Sequence, residues 1–263
     1  MSISYETLCQ ALRGRPLPAA FVDLDSLRRN AAALARRSAG KTMRLATKSI
    51  RCVALQRLVL AEFPAFAGLM CFAAGEAAWL ADLGFDDLLV GYPTVEPAEL
   101  ERVCAAAAHG ARIVLTVDAE AHLNALEAIA LRHGTVLRVC IDADMSTRLP
   151  GLHFGVHRSP LRDAQGVVDL ARAIGRRPSL RLEGLLGYEA QIAGVADAVT
   201  GRPFRSALVR VLKGKSSAEL GRRRQGMVEA LRDVCPVGLC EETEDVWKEL
   251  GLDTEAKSCN CGS

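Results

Sequence analysis

Met43-Arg44-Leu45-Ala46-Thr47-Lys48 joins a short apolar run to a charged amine, and a helical pattern follows directly. The run predicts a buried strand in a chain that alternates strands with helices, so Lys48 falls at the carboxyl end of that strand. Barrel enzymes keep their chemistry at this edge, and a desolvated lysine there becomes a nucleophile for carbonyl compounds. A solvated lysine that caps the strand is the alternative, and position alone favours it.

Strand-like runs recur along the chain, and helical patterns separate them. Several runs are apolar at consecutive positions, which is typical of strands covered on both faces in a parallel sheet. The runs are Phe21–Leu24, Met43–Thr47, Gly68–Phe72, Asp87–Tyr92, Arg112–Val117, Val136–Asp142 and Leu180–Gly187. Six strand–helix units follow from the lysine-bearing strand to about residue 233, whereas a closed (β/α)₈ barrel has eight. The sequence therefore predicts an α/β fold, a TIM-type barrel that is incomplete.

Two helix starts are predicted from capping residues. Asp25 and Ser26 precede an apolar stripe that begins at Leu27, and Ser216 and Glu219 have the spacing of a capping box. The other helical patterns cover residues 51–62, 75–83, 96–109, 119–133 and 160–176.

Composition and charge exclude several classes of protein. The chain has 263 residues, 50% hydrophobic and 24% charged, as expected of a soluble globular protein. Residues 234–263 hold seven acidic residues and two lysines, whereas residues 1–233 carry a net charge of +7. The basic cluster at residues 222–224 falls within a helical pattern and predicts a solvated face rather than a nucleic-acid site.

The location is predicted to be cytoplasmic. No window approaches the ~18 uncharged apolar residues of a membrane span, and Met1 to Gln10 lack the pattern of an export signal. Four of the nine cysteines, Cys52, Cys71, Cys104 and Cys140, lie inside predicted helices and strands, where a thiol acts as a small apolar group. We therefore expect the cysteines to be reduced.

Mostly polar and aromatic residues collect at the predicted carboxyl ends of the strands. They are Thr47, Lys48, Phe72, Ala73, Tyr92, Asp118, Asp142, Asp144, Arg148, Tyr188, Glu189 and Gln191. Such a mouth suits an anionic ligand that carries a carbonyl group. The segment 155–160 either places the Arg158 guanidinium over this mouth or forms an ordinary polar loop. The five histidines show no metal-ligand spacing, and nucleotide-binding glycine motifs are missing.

Several separate motifs, in the same order, carry a family resemblance. They are Pro18–Asp25, Arg44–Ser49, Asp86–Pro93, Gly155–Arg158 and Gly184–Gly194. The stretch from residue 18 to 233 resembles the barrel domain of the alanine racemase-like, fold-type III pyridoxal-phosphate proteins. Within that family it is most similar to the branch of D-threonine aldolase and D-serine dehydratase-like proteins, also described as amino-acid deaminases/aldolases.

The resemblance implies a cofactor, a reaction class and site residues. It implies an enzyme of D-amino-acid metabolism, a lyase of the aldolase or deaminase type, in which Lys48 forms the internal aldimine with pyridoxal phosphate. Arg158 matches an arginine near the cofactor ring and substrate carboxylate, Tyr188 occupies the place of a residue that flanks the ring, and Gln191 is assigned to cofactor binding. The expected partner is a small amino-acid substrate, and a homo-oligomer is compatible with the family.

Residues 234–263 depart from the family pattern. The family has a glycine-rich phosphate-binding turn after a further strand and a C-terminal β-domain, which in the aldolase branch supplies divalent-metal ligands; the sequence shows neither. We expect residues 1–233 to form the barrel domain and residues 234–263 to be a poorly ordered acidic tail. The four tail cysteines, Cys235, Cys240, Cys259 and Cys261, have spacings that zinc sites use, but free thiols are the commoner outcome. A truncated enzyme, a non-catalytic cofactor-binding or carrier barrel and an inactive paralogue all remain open.

Overall fold

The structure is a computed structural model that describes residues 4–149, 152–193, 196, 199–201 and 203–234. The helices of this part are α1 (Tyr5–Ala11), α2 (Leu24–Arg37), α3 (Val53–Glu62), α4 (Ala74–Asp82), α5 (Pro97–Ala108), α6 (Glu120–His133), α7 (Ala164–Gly175), α8 (Ala190–Ala193) and α9 (Pro203–Arg232). The strands are β1 (Met43–Ala46), β2 (Phe66–Cys71), β3 (Leu88–Val90), β4 (Ile113–Val117), β5 (Leu137–Asp144), β6 (Thr147–Leu149), β7 (Leu152–Phe154) and β8 (Leu180–Tyr188).

Six strands form one parallel sheet in the order β1-β2-β3-β4-β5-β8, and β6 and β7 pair separately as an antiparallel hairpin. The six predicted strand–helix units are therefore confirmed. Within the described residues no strand pairs with the outer edge of β1 or of β8, so this part of the chain forms an open sheet of six strands and not a closed barrel. The β6–β7 hairpin has no counterpart in the sequence prediction.

The sheet has two faces of unequal character. Successive residues of a strand point to opposite faces, and Leu88 and Val90 of β3 join the main core, between the sheet and the helices. Leu89 joins a smaller cluster on the other face with Val114, Cys140 and Leu186. Because all six strands run in one direction, the residues that follow each strand meet at a single edge, which we call the carboxyl edge.

The predicted strand at Phe21–Leu24 is wrong, and α2 begins earlier than its predicted caps. Asp23 is the N-cap, and its side chain accepts hydrogen bonds from the backbone N–H groups of Asp25 at 3.0 Å and Ser26 at 3.1 Å. Residues 24–26 are thereby drawn into the first turn of the helix. Phe21 and Val22 remain 55% and 52% exposed, so the apolar run lacks the burial that supports a strand.

The predicted capping box at Ser216 and Glu219 is also wrong, because both residues lie inside the continuous helix α9. The Ser216 side chain is fully buried, with its hydroxyl 2.6 Å from that of Thr147 on β6. Thr147 also donates to Glu219 Oε2 at 2.9 Å. The two residues whose spacing predicted a helix start therefore join α9 to the β6–β7 hairpin by hydrogen bonds.

All five cysteines of the described residues are free, and three of them are buried as predicted. Burial raises the pKa of the Cys71 thiol to about 12 and that of Cys104 to about 11, so neither is a thiolate at neutral pH. Cys52 departs from the prediction, because it is exposed at the N-terminus of α3.

The remaining predictions concern segments at the limits of the structure. In the part of the chain that the structure describes, none of the helices has both the length and the apolar character to cross a membrane. The predicted acidic tail lies outside the described residues from residue 235 onward. Val234, the last described residue, packs against the main core.

Candidate active site

Lys48 lies in the tight turn that follows β1, at the carboxyl edge, and its side chain is exposed. The turn is closed by backbone bonds from Ser49 and Ile50 to the carbonyl oxygen of Ala46, at 3.1 and 3.4 Å. The buried amide of Gln56 donates to the Ile50 carbonyl oxygen at 2.7 Å and so links the turn to α3. No described residue forms a hydrogen bond or ion pair with the Lys48 amine. The amine is therefore open to a ligand.

Arg158 is held over the carboxyl ends of β3, β5 and β8. Its Nε donates to Asp142 Oδ2 at 2.7 Å, and a terminal amino group donates to the Gly91 carbonyl oxygen. The guanidinium carbon lies 4.7 Å from the ring centroid of Tyr92 and 5.2 Å from that of Tyr188. Such contacts combine cation–π attraction with stacking. Of the two alternatives for segment 155–160, the structure shows the guanidinium at the carboxyl edge.

Asp142 is the buried counter-charge of Arg158. Its side chain is fully buried, and its Oδ1 has no hydrogen-bond partner among the described residues. Burial raises the pKa of Asp142 to about 6, although the charge and hydrogen bond of Arg158 act in the opposite direction. The charge state of this carboxyl group therefore changes close to neutral pH.

Asp144 anchors the segment that carries Arg158. Its Oδ1 accepts from the backbone N–H of Ser146 at 2.8 Å and from Arg162 at 2.6 Å, and its Oδ2 accepts from the backbone N–H of Arg158 at 3.2 Å. Burial alone raises the pKa of Asp144, but the hydrogen bonds from Ser146 and Arg158 and the charge of Arg162 together lower it. The Asp-x-Ser spacing is typical of an Asx turn and could have indicated Ser146, whereas nothing in the sequence indicated Arg162.

Gly155 and Gln191 pack against each other next to Ser146. Gly155 has a φ of +123°, and a Cβ there would lie 2.9 Å from Gln191 Oε1 and 3.0 Å from Ser146. Gln191 is only 1% exposed, and its amide donates to the Met145 carbonyl oxygen at 2.5 Å and to Ser216 at 3.2 Å. In the structure Gln191 supports the Met145–Ser146 backbone, and its assignment to cofactor binding stays a prediction.

Aromatic rings form a partly exposed wall beside Arg158. Tyr188, Tyr92 and Phe72 are 37%, 42% and 53% exposed. The Phe72 and Tyr92 rings meet edge to face with their centroids 5.3 Å apart. Partly exposed aromatic rings next to a guanidinium suit a planar, anionic ligand. The structure thus brings Arg158 and Tyr188 together, and it adds Tyr92, Phe72 and Asp142, which the sequence placed at strand ends without a role.

Other strand-end residues are engaged elsewhere. Asp118 lies 3.0 Å from Nδ1 of His122, and Glu189 pairs with Arg224 of α9 at 2.7 Å. Arg148 lies exposed on β6. Across the described ranges, the His, Cys, Asp and Glu side chains form no cluster of three or more that could hold a metal ion.

One protein-family model matches most of the chain. Residues 22–219 match the family model described as alanine racemase, N-terminal domain. The chain belongs to this alanine racemase family. The predicted resemblance is therefore confirmed, and so is the predicted fold.

Individual relatives of this family match over most of the described chain. The chain is 28% identical over 178 residues to 3-hydroxy-D-aspartate aldolase of Paracoccus denitrificans, which covers 67% of this chain and 43% of the aldolase. The crystal structure of D-threonine aldolase from Filomicrobium marinum superposes with a TM-score of 0.69 at 23% identity and covers 83% of this chain and 53% of that chain. D-threo-3-hydroxyaspartate dehydratase from Delftia sp. HT23 gives a TM-score of 0.62 at 20% identity, covering 84% and 52%. The chain thus spans about half the length of these relatives or less, and the two structures show the shared fold.

Proposed function

We propose that the carboxyl edge binds pyridoxal phosphate through Lys48 and serves aldol cleavage or dehydration of a D-amino acid. The observation that carries the proposal is an open lysine amine on the same edge as a guanidinium packed against two tyrosine rings. The family match and the aldolase and dehydratase relatives support the reaction class.

The described residues fit the aldehyde and the ring of this cofactor. A lysine amine condenses with an aldehyde and releases water, and Lys48 is placed for this because its amine is exposed and its turn is fixed by backbone bonds. Tyr92 and Tyr188 are 42% and 37% exposed, so part of each ring is available to contact a pyridine ring. When bound, the cofactor supplies an electron sink for a bond that breaks at the substrate α-carbon.

Arg158 supplies permanent positive charge at this site. A guanidinium stays protonated at all physiological pH values, and its geometry matches a carboxylate in a bidentate manner. In the structure Asp142, the Gly91 carbonyl and two rings hold it, so its position is fixed before a ligand arrives. We assign Arg158 to the binding of the ring or of the substrate carboxylate.

Lys48 has a second task in this proposal. With cofactor and substrate bound, Lys48 Nζ would be placed to take a proton from the substrate or to return one. Its exposed position allows that exchange with substrate and with water.

The test begins with the absorption spectrum of the full 263-residue chain after addition of pyridoxal phosphate. A visible band, followed by borohydride reduction and peptide mapping, should place the pyridoxyl group on residue 48. Lys48→Ala should abolish the band, whereas Lys215→Ala, at an exposed lysine on α9, should keep it. Assays with D-threonine, D-serine and D-3-hydroxyaspartate then follow. Binding without any turnover would favour the carrier alternative, and a chain that forms no band would refute the proposal.

A further inference from the structure

Glu76 lies in the first turn of α4, beside the proposed cofactor site, and contacts the ends of two strands. We propose that its carboxylate is a positioning residue that sets the place of Lys48 relative to the aromatic wall. The inference rests on the proposed function, because it concerns how Lys48 meets the cofactor.

One carboxylate oxygen of Glu76 joins the segments that follow β1 and β2. Thr47, the residue before Lys48, donates its hydroxyl to Glu76 Oε2 at 2.9 Å. The backbone N–H of Phe72 donates to the same oxygen at 2.7 Å. The lysine turn and the first ring of the aromatic wall therefore share a single charged acceptor.

The surroundings favour this contact. Thr47 is fully buried, and its hydroxyl lies closer to Glu76 Oε2, at 2.9 Å, than to the Met70 carbonyl oxygen, at 3.3 Å. The backbone N–H of Thr47 donates to the same Met70 carbonyl oxygen at 3.0 Å. Ala73, the N-cap of α4, offers no side-chain oxygen. The Glu76 carboxylate serves instead. It lies in the first turn of α4, where the positive end of the helix dipole stabilises a negative charge.

A series of packing contacts connects Phe72 with Arg158. Phe72 packs against Tyr92, and Tyr92 packs against the guanidinium. The Gly91 N–H, beside Tyr92, donates to the Cys71 carbonyl at 2.8 Å, so the ends of β2 and β3 are also joined. A change at Glu76 therefore moves the amine and the aromatic wall relative to each other. A misplacement of about 1 Å slows an oriented reaction by up to roughly 100-fold.

The experiment compares Glu76→Ala, Glu76→Gln and Thr47→Val in the full-length chain. The readouts are the rate constant for attachment of pyridoxal phosphate to Lys48, trapped by borohydride and mapped by mass spectrometry, and the circular dichroism of the bound band. Reductive methylation of Lys48 by formaldehyde supplies a rate that needs no cofactor. Glu101→Gln is the matched control, because Glu101 of α5 forms an exposed ion pair with Arg132 of α6.

Glu76→Ala is expected to slow attachment roughly tenfold and to change the sign or size of the dichroic band, because ring orientation depends on the wall. Glu76→Gln keeps an oxygen that accepts from both donors, so it is expected to stay within about threefold of the wild type. Thr47→Val loses one donor and is expected to fall between them. Formaldehyde methylation should change less than attachment does, because a small aldehyde needs no aromatic wall.

The outcomes separate this inference from the proposed function. If the wild-type chain does not label at Lys48, the proposed function fails. If the wild type labels and Glu76→Ala matches it in rate and dichroism, the positioning role alone is refuted. If Glu76→Ala does not fold, Glu76→Gln and Thr47→Val decide: a wild-type rate in Thr47→Val overturns the inference, and the predicted intermediate rate supports it.

Discussion

Replacing Asp142 by asparagine removes a buried negative charge and keeps the size of the side chain. In the wild type this carboxyl group is fully buried, bonds Arg158 Nε at 2.7 Å, and leaves its second oxygen without a partner among the described residues. An asparagine oxygen still accepts the Arg158 hydrogen bond. The substitution therefore isolates the cost of keeping Asp142 ionised inside the protein.

The size of that cost follows from the pKa. Burial raises the pKa of Asp142 from an ordinary 3.8 to about 6, and this value already includes the opposing attraction of Arg158. Each tenfold change in proton affinity is worth about 1.4 kcal/mol, so ionised Asp142 costs the folded state about 3 kcal/mol at neutral pH. The folded chain binds the proton more tightly than the unfolded chain, so this part of the stability is present below pH 3.8 and is lost as pH rises through about 6.

Urea unfolding of the wild type and Asp142→Asn at pH 5 and pH 7 measures this effect. The variant should gain stability relative to the wild type as pH rises, by about 1 kcal/mol across this interval. Asp169→Asn is the control, since Asp169 is exposed on α7 and should show no such dependence. A difference in free energy of unfolding that stays constant with pH, or that falls, would refute the reasoning about Asp142.

Three further outcomes are expected. Gly155→Ala should lower the free energy of unfolding by about 1–3 kcal/mol, because φ is +123° and a Cβ would lie 2.9 Å from a side-chain oxygen. Gly175→Ala, where nothing lies within 4 Å, is the control in the same urea titration, and equal losses would contradict the strain. Arg158→Lys should weaken pyridoxal phosphate binding about tenfold in an absorbance titration, because an ammonium group cannot stack on the two tyrosine rings; unchanged affinity would rule out a role of Arg158 in binding the cofactor ring. Turnover of D-threonine and D-serine with excess cofactor and manganese should be slow, because Phe72 and Tyr92 are partly exposed and the carboxyl edge is therefore open to water. Rates comparable with an intact family member would contradict this.

The sequence predicted the sheet well because its signal is local. Ile113–Val117 is apolar at nearly every position, and all five residues of this strand are buried. A strand covered on both faces needs no knowledge of its partners to be predicted. The carboxyl ends follow from the strand ends, which is why Lys48 could be placed at the correct edge.

The wrong predictions concern residues whose role is decided by a tertiary contact and not by the local sequence. Ser216 and Glu219 have the spacing of a capping box, but their bonds go to Thr147, about 70 residues earlier in the chain. Asp23 was assigned to a strand because of its apolar neighbours, while its side chain in fact caps α2. Local patterns cannot distinguish a cap from a buried contact of the same residue types.

Only some residues of the candidate site could be located from the sequence, because the others depend on tertiary contacts. Arg158 and Tyr188 were identified through the family resemblance, and the structure places them in contact. The Asp142 counter-charge and the Glu76 bridge depend on which strands are neighbours and on side-chain direction. Those features exist only once the sheet has assembled.

Attachment of pyridoxal phosphate to Lys48 is the central claim, and reductive trapping tests it most directly. The full chain is incubated with the cofactor, reduced with borohydride and digested, and the modified peptide is sequenced by mass spectrometry. The account predicts one pyridoxyl group, on residue 48, which disappears in Lys48→Ala and persists in Lys215→Ala. A label on a different lysine, or no label with a chain shown to be folded, would contradict it.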